Sequence, residues 1–186
     1  GIEAAVIAVS LGAKIIEKCS VRKILLKNIR EKLNKTQYTS IEKNSSRIFV
    51  FGIKINQWDV YSQLLSEVIG IKNTLLVKST DVSIDSINNI SNSLIGDAKN
   101  VESFRISAKR QYKNYKFTSQ EINQIVGAYI LSNNKLKVQL KKPDLNLIIE
   151  LVKGRAYIGY KKCLGVGGLP VGSGEKAISL ISSGIR

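Results

Sequence analysis

The 186-residue sequence has no histidine and no methionine, only two cysteines, two prolines and one tryptophan, and just 14 acidic residues against 29 lysines and arginines. Without histidine there is no imidazole general base and no His-containing catalytic triad, and most zinc and haem sites are excluded. Cys19 and Cys163 stand 144 positions apart and form no C-x-x-C pair, so neither a metal knuckle nor a dithiol redox site is written locally. Both read as passive, reduced thiols. Long apolar runs are missing as well. The most apolar N-terminal stretch, 4–16, is interrupted by Ser10, Gly12 and Lys14 and falls far short of the roughly 20 residues that span a bilayer. Glu3 precedes it where a secretory signal would carry positive charge. A soluble cytoplasmic protein with no membrane partner is expected. The lack of methionine even at position 1 suggests a processed piece or fragment of a longer chain.

What is present is an ordinary globular composition, 44% hydrophobic and 23% charged, with a formal net charge of +15 and a sequence pI of 9.9. Such a chain can bury a core, and its charge points to a polyanionic partner.

Periodicity lays out two units. A strand-length apolar run, Ala5 to Leu11, precedes a helix expected from Ser20 to about Asn34, whose Val21, Leu25, Ile29 and Leu33 recur every four residues. Lys23, Lys27 and Arg30 fall on its other face. Tyr38 to Glu42 and Arg47 to Phe51, separated by Asn44, Ser45 and Ser46, read as a hairpin. Trp58, Tyr61, Leu65, Val68 and Ile69 mark a second helix stopped by Gly70, and Ile71 to Lys78 a strand. This β-α-β-β-α-β order is the split arrangement of a ferredoxin-like sheet, so the fold class is α+β, with a first domain over 1–78.

The second unit, 79–164, opens with a helix patterned by Ile84, Ile87, Ile90 and Leu94. A strand from Phe104 to Ala108 follows, then a helix opened by the capping box Thr118-Ser119-Gln120-Glu121. Leu136 to Leu140, Leu145 to Val152 and Ala156 to Tyr160 are the remaining strands, the last two joined across Gly154. Residues 165–186 hold five of the fourteen glycines between Gly165 and Gly174, then a strand signal at Ala177 to Ile181. Gly165, Gly167, Gly168, Gly172 and Gly174 lack the Lys-Ser or Lys-Thr of a phosphate loop and read as a shaped linker.

Both units are basic: 13 cations against 6 acids through Lys78, and 16 against 8 beyond it. Arg105, Lys109, Arg110, Lys113 and Lys116 lie in an acid-free segment interleaved with Tyr112, Tyr115 and Phe117. Cations attract phosphate and release counterions, and rings offer a face to an unstacked base. Phe117 sits where a hydrophobic staple of the following helix would, and that structural role ranks ahead of stacking. Lys135, Lys137, Lys141 and Lys142 form a second cluster, and Lys153, Arg155, Lys161 and Lys162 a third. A single such cluster is commonly a solvated face. Three together favour a nucleic acid.

Certain residues are more specific. Phe104-Arg105 with Ala108-Lys109-Arg110, the run Thr118 to Asn123, Val126-Gly127, Leu140-Lys141-Lys142-Pro143-Asp144 and Gly167-Gly168-Leu169-Pro170-Val171-Gly172 resemble the THUMP region of tRNA 4-thiouridine synthetases, the tRNA sulfurtransferases linked to thiamine biosynthesis. The resemblance is strongest from Phe104 to Ile181. It implies an N-terminal ferredoxin-like domain and an α/β THUMP domain that together grip the acceptor stem and 3′ end of tRNA. In the family a PP-loop ATP-pyrophosphatase domain then adenylates uridine 8 before sulfur replaces its O4. Here the Ser-Gly-Gly-x-Asp-Ser start of that loop reads Ser182-Ser183-Gly184-Ile185-Arg186, with serine for the first glycine and arginine for the aspartate. An added side chain and a reversed charge leave no adenylating site.

The expectation is therefore a tRNA-binding module associated with 4-thiouridine synthesis, not catalytic by itself, with no catalytic residue, cofactor or metal. The alternative is the front part of a complete ATP-dependent synthetase. RNA-binding residues are expected at Arg105, Lys109, Arg110, Lys113, Lys116, Lys141, Lys142, Lys161 and Lys162. The resemblance also allows a separate ATP-pyrophosphatase or sulfur-carrier protein, or a second copy of the chain, as partner.

Overall fold

The computed structural model describes residues 5–11, 19–44, 47–111, 114–170 and 172–173. Strand β1 (Ala5–Leu11) leads into α1 (Cys19–Lys32), the hairpin β2 (Ser40–Asn44) and β3 (Arg47–Ile53), α2 (Trp58–Ser66) and the long β4 (Ile71–Asp81). Then come α3 (Ile84–Gly96), β5 (Ser103–Arg110), α4 (Ser119–Asn133), β6 (Lys137–Val138), β7 (Leu145–Val152), β8 (Arg155–Gly159) and β9 (Lys162–Leu164). The mixed α and β class, with β-α-β-β-α-β first, is as expected. Helices α1 and α2 and strand β6 are shorter than their apolar patterns, and β9 had no sequence signal. No helix among the described residues is long and apolar enough to cross a membrane.

The strands join in one sheet, ordered β2-β3-β1-β4-β8-β7-β5-β6, with β9 also on β4. Strand β4 is the joint. It pairs along β1 from Val77 to Ile71, and from Lys78 to Asp81 with β8, so Lys78, the expected domain edge, lies inside a strand common to both halves. Where β8 crosses β4 the approach is close: a Cβ on Gly159 would stand 1.9 Å from the Leu76 carbonyl oxygen.

Apolar spacing accounts for the helices. Val21, Leu25 and Ile29 of α1 and Leu33 just after it are all buried, with Trp58, Tyr61 and Leu65 of α2, against Ile7, Val9, Ile48 and Val50 of the sheet. In the second half Ile87 and Ile95 of α3 and Ile122, Val126 and Ile130 of α4 cover Phe104, Ile106, Leu147, Ile149 and Ile158. Helix α3 is capped by Ser83, whose side chain accepts from the Ser86 amide. At α4 the expected capping box is in place, Glu121 N–H donating to Thr118 Oγ1 at 3.1 Å and Thr118 N–H to the Glu121 carboxylate at 2.6 Å.

The four α-helices among the described residues lie on one face. On the other, Val6, Ala8, Phe49, Leu75 and Val77 from the first half meet Val152 and Tyr157 from the second in a third core. Phe49 stacks on Tyr157 with ring centroids 4.3 Å apart, although three strand spacings, about 14 Å in a flat sheet, separate β3 from β8. The sheet is thus curled about β4, and its helix-free face is concave. After β9 the glycine-rich stretch returns to the first half: Gly165 N–H donates to Lys72 O, Val166 N–H to Ser66 O and Gly167 N–H to Ile71 O. The strand expected at 177–181 and the PP-loop-like residues 182–186 lie outside the described residues.

Candidate nucleic-acid interface

Strand alternation decides where the cations go. On β5 the helix side carries Phe104, Ile106 and Ala108, which puts Arg105, Ser107 and Lys109 on the concave side. Arg105 is half-buried; its Nη1 donates to the Leu140 carbonyl at 3.1 Å, and its Nε is buried without a partner. Ser107 donates to Asn146 Oδ1 on β7 at 2.7 Å. Lys109 is exposed and lines a small cavity with Lys162.

Lys141 and Lys142 sit in the turn that precedes β7, both exposed, with Lys142 in the left-handed region at φ 53°. Gln139 Nε2 donates to both of their carbonyls, at 2.8 and 3.2 Å. Asp144 ties the turn down by accepting from Ser103 Oγ at 2.7 Å, Ser103 N–H at 2.9 Å and Glu102 N–H at 3.2 Å. Those bonds, Ser103's first, hold its carboxyl below the ordinary aspartate range. The Arg105–Leu140 bond brings this turn to the β5 strip.

Arg105, Lys109 and Lys162 therefore lie on the helix-free side, and the Arg105–Leu140 bond brings the turn with the exposed Lys141 and Lys142 beside them. None of the five is held in an ion pair among the described residues.

The other expected residues are elsewhere. Arg110 follows Lys109 in the strand and so points to the helix side, where its Nη1 donates to the Tyr115 carbonyl at 3.4 Å and its charge helps to lower the Glu121 carboxyl, after the Thr118 bonds. Lys116, exposed, stands 5.3 Å from the Phe117 ring centre. Lys113 and Tyr112 lie outside the described residues. Lys161 faces away from Lys162, into a 250 Å³ cavity with Lys78, Asp97 and Tyr160. Lys23, Lys27 and Arg30 are exposed on α1, on the helix side, with Lys27 3.7 Å from Glu31. The cations do not share one face; β5 alternation divides them.

The aromatic rings here are structural. Tyr115 donates its hydroxyl to the Val82 carbonyl and meets Phe117 edge-on at 6.1 Å, and both rings pack on the second core. Arg47, Asn73 and Glu150 carried no local signal. Arg47 donates from Nε and Nη2 to the two Glu150 oxygens at 2.8 Å each, and hydrogen bonding to that carboxylate raises the guanidinium's pKa further. In the sequence both stand only as members of the expected strands Arg47 to Phe51 and Leu145 to Val152. No group of histidine, cysteine or acidic side chains that could hold a metal ion occurs among the described residues.

The THUMP domain family matches residues 82–161. A probable tRNA sulfurtransferase of Malacoplasma penetrans is 32% identical over 88% of this chain and 41% of its own length, and one of Thermococcus kodakarensis is 33% identical over 87% and 44%. The chain thus spans less than half the length of these relatives. Among solved structures, PH1313 from Pyrococcus horikoshii is similar with a TM-score of 0.80 at 32% identity, over 91% of this chain and 58% of that one. A 4-thiouridine synthetase in complex with RNA and bound ATP has a TM-score of 0.73 at 27% identity, over 91% and 44%. These matches bear out the resemblance read from the motifs between Phe104 and Gly172. The curled sheet with its helices on one side is therefore that of a protein carrying a THUMP domain at residues 82–161 and similar, over most of its own length, to tRNA sulfurtransferases.

Proposed function

We propose that this chain is a tRNA-binding module that docks the acceptor stem and 3′ end on its helix-free side and serves 4-thiouridine synthesis without being catalytic by itself. Residues 1–78 and 79–164 are its working units. The observation that carries the reading is the unpaired set Lys141, Lys142, Arg105, Lys109 and Lys162 on a chain with a THUMP domain. A double-stranded RNA stem shows dense phosphates and a shallow minor groove, so spaced cations on a curved surface recognise its shape without reading bases. Arg105, Lys109, Lys141, Lys142 and Lys162 contact phosphates in this reading. Arg110, Lys116 and Lys161 belong to a second approach, around the end of β5 and the joint, and Lys113 is a further contact in this reading.

A gel-shift series tests this with intact tRNA, tRNA lacking its 3′ end, and an unrelated duplex of equal length. Tightest binding to intact tRNA is expected. Equal affinity for all three reduces the interaction to charge attraction and overturns the docking.

A further inference from the structure

Where β5 and β9 approach the rim of the third core, a cavity of about 70 Å³ has Arg47, Asn73, Lys109, Glu150 and Lys162 as its polar lining, beside the apolar Ala8, Leu75 and Ile148. Five strands, β3, β4, β5, β7 and β9, deliver the polar groups, so neither half of the sheet builds the cavity alone. Three cations and one carboxylate surround it. Glu150 is opposite Lys109 in the β5–β7 register, yet both its oxygens accept from Arg47. Lys109 and Lys162 are left without an ion pair among the described residues. A guanidinium has five N–H donors in a rigid fork; two are spent on Glu150, which fixes the plane of the other three.

Two lysines that line one cavity with an oriented guanidinium repel one another unless an anion lies between them. The volume suits a few waters or one tetrahedral oxyanion. We propose that this cleft seats a single phosphate group, with Lys109 and Lys162 as its charge partners, Arg47 and the Asn73 amide as donors, and Glu150 as the positioning residue that aims Arg47. That the phosphate is a backbone diester of bound tRNA rests on the function proposed above; the site itself does not.

The test uses the full chain. Inorganic phosphate is titrated at constant ionic strength against chloride, followed by amide and side-chain NMR shifts. Saturable shifts at Asn73, Lys109 and Lys162 are expected, lost in Lys109→Gln/Lys162→Gln and kept in Lys23→Gln/Arg30→Gln, which removes the same charge from exposed positions on the helix side. Non-saturating shifts, or equal shifts in both variants, overturn the cleft. With tRNA, removing one phosphate contact lowers the slope of log affinity on log salt by about 0.7 to 0.9. Because both lysines share one phosphate, Lys109→Gln/Lys162→Gln is expected to lower it by about one contact; a loss of two makes them independent contacts and overturns the shared seat. If phosphate saturates the cleft but the wild-type chain binds no tRNA, the cleft stands and the tRNA reading falls. If tRNA binds and phosphate leaves the cleft silent, the reverse holds.

Discussion

Arg47 on β3 and Glu150 on β7 are 103 residues apart in sequence and four strand positions apart in the sheet, yet they form a bidentate pair at 2.8 Å. A flat sheet would separate those strands by about 19 Å. The pair, together with the Phe49–Tyr157 stack, closes the two halves of the sheet on each other and sets the curvature of the cationic side. Both side chains are largely buried, 17% and 10% exposed, so the pair behaves more like an interior bond than a surface one.

Breaking it from one side leaves an uncompensated charge. Arg47→Met is expected to cost about 2–4 kcal/mol, somewhat less than the 3–5 kcal/mol of a fully buried pair because some water reaches Arg47, and Arg47→Met/Glu150→Leu to recover most of that. Urea unfolding of the three proteins checks it; equal stability of the single variant and wild type would mean the pair does not join the halves.

The joint between β4 and β8 is equally exacting. Gly159→Ala puts a methyl into the Leu76 carbonyl and is expected to destabilise the fold by about 1–3 kcal/mol through forced separation of the strands. Thermal melts provide the measurement, with Gly127→Ala, where a Cβ meets nothing within 4 Å, as the tolerated control.

Asp144 gives the Lys141–Lys142 turn a pH dependence. Its folded-state pKa is lowered by the Ser103 and Glu102 bonds, so the stability it contributes is present above the ordinary aspartate value of about 3.9 and is lost as pH falls through the lower folded value. The melting-temperature gap between wild type and Asp144→Asn should therefore be constant from pH 5 to 7 and shrink only below about pH 4. A gap that already closes by pH 5 would contradict the lowered value.

Neighbouring cations on β5 should separate by readout. Lys109→Ala is expected to weaken tRNA binding with no change in melting temperature. Arg110→Ala should lower the melting temperature, since it loses the Tyr115 carbonyl and the Glu121 charge beside the α4 capping box. Identical behaviour of the two variants in both assays would show that strand alternation does not divide their roles.

If about six phosphates are contacted, affinity for tRNA should fall roughly a thousandfold between 50 and 200 mM salt. Filter binding across that range is the check. A flat response would remove the electrostatic basis of the interface.

Local chemistry determined much of this protein. The four-residue apolar spacing of α1, the Thr118–Glu121 capping box and the strand signals of β5 and β7 each act over a few residues, so they are legible in sequence and were met in the fold. Strand alternation also foretells that Lys109 and Arg110 diverge, but not which side each takes, because that depends on where the helices pack. The tertiary structure alone decided that β4 serves both halves, that a three-residue β9 returns to it, and that the helix-free face curls until Arg47 reaches Glu150. Those contacts join residues many tens of positions apart. Their free energy comes from burying Phe49, Val152 and Tyr157 together, which no local window of sequence can express.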